Sequence, residues 1–148
     1  MLQQVLLAPV PCVHLHSASQ VPRLAERVAF GSSQSGVPHL PLGIPVFICA
    51  SDPGSAPREA LGLLRPGWAT WGGRLGSIVE AVKDGRRSGQ HPDPTVRPPT
   101  AEATDTAFFY FWEVEGLQRL SPARRLTEFR SPLSGGAPQW PVLAELDL

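Results

Sequence analysis

Lysine is almost missing from this chain. Of its 13 cationic residues only Lys83 is a lysine, and the rest are arginine. Thirteen acidic residues balance them, so no global field draws a polyanion toward the surface as a whole. The arginine bias accords first with GC-rich coding, as do the many Pro, Gly and Ala residues. It also suits phosphate or base contacts, because a guanidinium fork binds in a bidentate way. Cysteine is scarce too: Cys12 and Cys49 lie far apart in apolar contexts with no metal-ligand spacing. They read as buried free thiols of a reducing compartment. No apolar run approaches the roughly 18 residues of a membrane span. The opening MLQQVLLAPVP has no basic stretch and does not read as a signal peptide, so a cytoplasmic location is expected. G-x-S-x-G, H-E-x-x-H, Walker A, G-x-G-x-x-G and C-x-x-C are all absent. No catalytic residue, metal or cofactor is therefore called for.

What is present fits one domain over residues 1–148, with 42% hydrophobic residues to build a single core. Its organising stretch is RPGWATWGGRLGSIVEAVK, Arg65 to Lys83. Two tryptophans three apart, a Gly72-Gly73 pair and the cation Arg74 fall within a few residues. Ser77 with Glu80 would fit a capping box. The β-branched Ile78, Val79 and Val82, with glycines before them, favour one long bent strand or two short ones.

Either side of that stretch, periodicity predicts a mainly β chain. Val5–Ala8 and Cys12–His16 read as short extended pieces broken by Pro9 and Pro11, confined to an edge or a bulge. In such a strand His14 and His16 share a face and could begin a metal site, though no third ligand is near. Gln20–Phe30 reads as a helix with Pro22 in its first turn and Gly31 as its stop. Residues 31–43 read as loop, Pro45–Ser51 as a buried strand, and Ser55 to Leu64 as a brief helix. Lys83 to Asp105 reads as a long polar loop between strands, with a solvated surface as the plain reading and a phosphate-gripping loop as the other. Phe108–Val114 is apolar on both faces and reads as a central strand that continues past Gly116. One helical turn is expected near Leu126, and a last strand or helix over Trp140–Leu146. Glu113 and Glu115 could pair, but read as exposed strand-end charges.

Three segments in this order resemble the PUA-like superfamily, which includes the ASCH and EVE domains: PVFICAS, RPGWATWGGRLGSIVEAV and FFYFWEVEGLQRLSPARRLTEF. The Gly-x-Lys-x-x-Glu-x-Arg signature of ASCH domains and the opening strand of EVE domains are absent, and Met1 to Gly43 aligns with neither. The resemblance implies an α+β, mainly β fold: a small bent β-barrel with a few short helices at its periphery. It implies a module that binds RNA, DNA or a modified base. By position, Ser51, Trp68, Thr70, Trp71 and Arg74 would face the ligand, with Arg86, Arg87 and Arg97 on backbone phosphates.

The expectation is thus a non-enzymatic nucleic-acid or nucleobase-binding module. An enzyme on a nucleobase-like substrate with Glu80 or Glu113 as base is the first alternative. The second is an interaction protein, such as a homodimer formed through apolar strand surface around Phe108–Trp112.

Overall fold

The structure is a computed structural model and describes residues 1–51, 65–85, 88–102, 108–130 and 138–148. Six strands form one mixed sheet: β1 (Leu2–Val10), β2 (Arg27–Ser32), β3 (Pro45–Ala50), β4 (Trp68–Glu80), β5 (Tyr110–Arg125) and β6 (Val142–Asp147). Their order across the sheet is β2-β5-β4-β3-β1-β6. Only β1 and β3 run parallel. Two helices are present among the described residues, α1 (Cys12–Ser19) and α2 (Pro99–Glu102), with a few 3-10 turns. The mainly β class is as expected. The barrel is not: β2 and β6 are the two end strands and do not pair with each other, so the sheet stays open, with only a single bridge from Arg130 to Glu145 on the outer edge of β6 among the described residues.

It is nevertheless rolled. β1 and β2 are four positions apart, roughly 19 Å across a flat sheet, yet residues of both line one cleft. Inside the roll sits the main core, with Leu6, Ala8 and Val10 of β1, Val46 and Ile48 of β3, Leu75 of β4, Trp112 and Val114 of β5, and Val28 and Phe30 of β2. Alternate residues face outward into two smaller cores. Val5, Leu7, Phe47, Cys49 and Ala69 pack under Leu126 and Phe129, while Ala29, Ala81, Val96 and Phe111 form the other.

The bend comes from β4. Its register against β5 shifts at Ala69/Trp71, Gly72/Arg74 and Leu75/Ser77. Glycine is required there for close approach. A Cβ on Gly72 would collide with the Val46 carbonyl oxygen, and one on Gly73 would lie 2.6 Å from the Glu115 carbonyl oxygen. Pro9 is accommodated because β6 pairs only with Leu2–Leu7, which leaves Pro9 with one neighbouring strand.

Two expectations are corrected. Residues 12–16 begin a helix, because Cys12, Leu15 and Ala18, spaced three apart, are the positions that bury into the main core. The predicted helix over Gln20–Phe30 is a 3-10 turn, Pro22–Ala25, followed by β2. Alternation in Val28-Ala29-Phe30 sends valine and phenylalanine to the main core and alanine to the opposite face. The Ser55 to Leu64 helix lies outside the described residues.

Candidate nucleic-acid interface and the buried carboxylate

The N-terminal half of β4 lies beside the C-terminal half of β5. Trp68 is opposite Arg125, Ala69 opposite Arg124, and Trp71 opposite Arg119. This register sets three arginines against the WATW segment. Arg65, just before β4, adds a fourth. Its guanidinium carbon lies 4.1 Å from the Trp68 ring centroid, and that of Arg125 lies 5.0 Å away. Trp68 is half-buried, whereas Arg65, Arg119 and Arg125 are exposed. Among the described residues the guanidinium of neither Arg65 nor Arg125 pairs with a carboxylate, although the Arg125 backbone amide donates to Glu128 Oε2 at 2.6 Å. Arg124 does, reaching Glu128 at 3.3 Å. A guanidinium laid on an indole face keeps its N–H edge directed away from the ring, where phosphate oxygens can dock.

The other predicted ligand contacts do not gather there. Trp71 packs in part against the main core. Thr70 is buried at the bulge, its hydroxyl without a partner among the described residues. Arg74 is exposed opposite Glu115 and lines a separate surface hollow with Phe47 and Gln118. Ser51 and Arg97 lie in the cleft at the far ends of β1 and β3. Arg86 and Arg87 lie outside the described residues.

The largest correction concerns Glu113. It is only 2% exposed, on the outward face of β5 between Ala29 of β2 and Ser77 of β4. Ser77 donates to its Oε1 at 2.6 Å. Arg27, two residues before Ala29 and so on the same face, donates Nε to Oε1 at 2.7 Å and an Nη to Oε2 at 2.9 Å. His91 is 2.7 Å from Oε2. The Asp93 amide donates to His91 Nδ1 at 2.8 Å, so the ring proton sits on Nε2 and points at the carboxylate. Burial alone would push Glu113 upward. Hydrogen bonds from His91, Arg27 and Ser77, with the Arg27 charge, outweigh that and hold it near 2, below the ordinary 4.5.

Both carboxylate oxygens and both imidazole nitrogens are thereby engaged. The arrangement ties residues 88–98 down onto the sheet. His91 and Arg97 are buried, at 2% and 4% exposure, so the segment is not the solvated loop its composition suggests. One signal was readable: an acid on a strand apolar on both faces needs a buried partner.

Both cysteines are buried and neither forms a disulfide, as expected. Burial pushes the Cys49 thiol up to about 12. No cluster of three metal-ligating side chains occurs among the described residues. On α1, His14 bonds Thr100 of α2 through Nδ1 at 2.9 Å. Phe109 is the exposed member of Phe108–Trp112, while Phe111 and Trp112 are buried. Among the described residues no helix is long and apolar enough to cross a membrane.

Comparison of the chain with protein-family models, with curated proteins and with solved structures returned no match.

Proposed function

We propose that this chain is a non-catalytic module that binds single-stranded nucleic acid on the β4–β5 face, with Trp68 as its stacking surface. The observation that carries this reading is the half-buried Trp68 indole with the Arg65 and Arg125 guanidiniums 4.1 and 5.0 Å from its ring centre, and Arg119 and Arg124 in register on the neighbouring strand. Flat apolar area and cationic donors alternate there over one short surface. A strand whose bases stack and whose phosphates run alongside needs both. The ligand class agrees with the one implied by the PUA-like resemblance of the same segments.

The acid-base alternative loses its two named residues. Glu113 is ionised, hidden and fully hydrogen-bonded, which unsuits it to accept a proton near neutrality. Glu80 is exposed on the surface, 3.8 Å from the Lys83 ammonium.

Titration with short single-stranded RNA and DNA, followed by tryptophan fluorescence, tests the proposal. Quenching that disappears in Trp68→Phe and weakens with salt is expected. Unchanged quenching in Trp68→Phe would remove the β4–β5 face as the site.

A further inference from the structure

The rolled sheet leaves a seam where the C-terminal ends of the parallel strands β1 and β3 approach the end of β2. A cleft of about 280 Å³ occupies it. Its walls include Val10, Ser51, Ser32, Trp112, Arg97 and Trp140. We propose that this cleft is a second site, separate from the β4–β5 face, for a small molecule that carries an oxyanion, carboxylate or phosphate, on a flat apolar body.

The wall chemistry is one-sided. No carboxylate occurs among the described lining residues, whereas donors recur. Trp112 is 1% exposed, and its Nε1–H has no partner among the described residues. Leaving such a donor unsatisfied is unfavourable, and the Trp112 side chain stands in the wall of the cleft. The Ser32 hydroxyl is also buried. It accepts from the Gln34 amide at 3.2 Å, which leaves its own proton to donate. Arg97 brings a cation into the wall, seated 4.9 Å from the Phe111 ring and 5.7 Å from that of Phe108. One of its Nη groups donates to the Ala29 carbonyl at 2.5 Å, which fixes its position.

Position in the fold points the same way. α1 begins directly after β1 across Pro11, and no side chain caps its N-terminus. Its first turn enters the cleft through Pro11 and His14, so the positive end of the helix dipole adds to Arg97. The crevice beyond the carboxyl ends of parallel strands is where open sheets hold ligands. Trp140, 40% exposed, and Phe108 supply flat apolar surface for the body of the ligand. The volume suits a small molecule rather than a polymer, being near the lower bound of about 300 Å³ for small-molecule pockets.

The test is two-dimensional NMR of the four indole N–H signals during millimolar additions of benzoate, phenyl phosphate and neutral benzyl alcohol to the full chain. The Trp112 indole proton moves downfield with benzoate or phenyl phosphate and not with benzyl alcohol. Either anion supports the proposal, and the tighter one names the oxyanion. Ser32→Ala, with its spectrum otherwise preserved, binds about tenfold more weakly, as loss of one hydrogen bond to a charged group predicts. Ser51→Ala gives a second reading should Ser32→Ala fold poorly. The double variant Arg65→Ala/Arg125→Ala retains the response, so loss of nucleic-acid binding there leaves this site standing. A silent Trp112 signal with both anions, or an equal response to benzyl alcohol, overturns the proposal.

Discussion

Arginine and aromatic side chains gather at both ends of the paired strands β4 and β5, at one end with Arg27 of β2, and are used in opposite ways. At the Tyr110 end of β5, Arg27 and His91 close on the Glu113 carboxylate beneath a folded-over segment, and both carboxylate oxygens and both imidazole nitrogens are bonded. At the Arg125 end, the guanidiniums of Arg65 and Arg125 lie near the Trp68 ring without a carboxylate partner among the described residues. Burial separates the two. A hidden charge must be neutralised where it sits, so the first cluster is fixed architecture. A half-exposed guanidinium stays hydrated and pays nothing to wait, so the second remains available for a ligand.

Removing the buried acid should therefore have the largest effect. Glu113→Ala leaves the Arg27, Ser77 and His91 donors facing a void, and a loss of about 3 kcal/mol of folding stability is expected in urea denaturation. A loss under about 0.5 kcal/mol, the range of ordinary surface substitutions, would place Glu113 outside the architecture.

The same cluster fixes a pH dependence. The folded carboxyl titrates near 2 and the ordinary one near 4.5, so the stability it contributes is full above the upper value and lost as pH falls toward the lower. Glu113→Gln should flatten the stability profile between these values. A Gln variant that keeps the wild-type acid limb would assign the dependence to other groups.

At the opposite end the expected changes are in binding, not folding. Trp68→Ala should weaken single-stranded nucleic-acid binding by roughly 1–3 kcal/mol, the worth of one base–aromatic stack. Its urea midpoint should shift little, because the indole is half-exposed. The converse pattern would make Trp68 a core residue. Smaller still, Arg124→Ala should weaken binding less than Arg125→Ala, since Arg124 already has Glu128 at 3.3 Å. Equal losses would show that the salt bridge does not compete with the ligand.

The open end was the more legible of the two in the sequence, for a physical reason. Trp68, Trp71 and their glycines are local, and a bent β4 follows from glycine and β-branched residues within one stretch. β3 and the start of β5 were equally readable, as short apolar runs between turn residues. The buried cluster was not, because Arg27, Ser77, His91 and Glu113 come from four distant segments that only the register of β2, β5 and β4 brings together. α1 was misread because Cys-Val-His-Leu-His alternates like a strand, while burial followed Cys12, Leu15 and Ala18. The split of the predicted contacts between face and cleft depends on how far the sheet rolls, which no local pattern encodes. The open barrel likewise follows from two edges that never pair.

The most direct test of the binding face is the salt dependence of single-stranded oligonucleotide affinity in the wild type and in Arg65→Ala/Arg125→Ala. Single-stranded phosphate contacts contribute a slope of roughly −0.7 each in log affinity against log salt. The wild type should show a measurable negative slope, and the double variant one shallower by about 1.4. Identical slopes and affinities in the two proteins would contradict the account, because the two guanidiniums on Trp68 would then touch no phosphate.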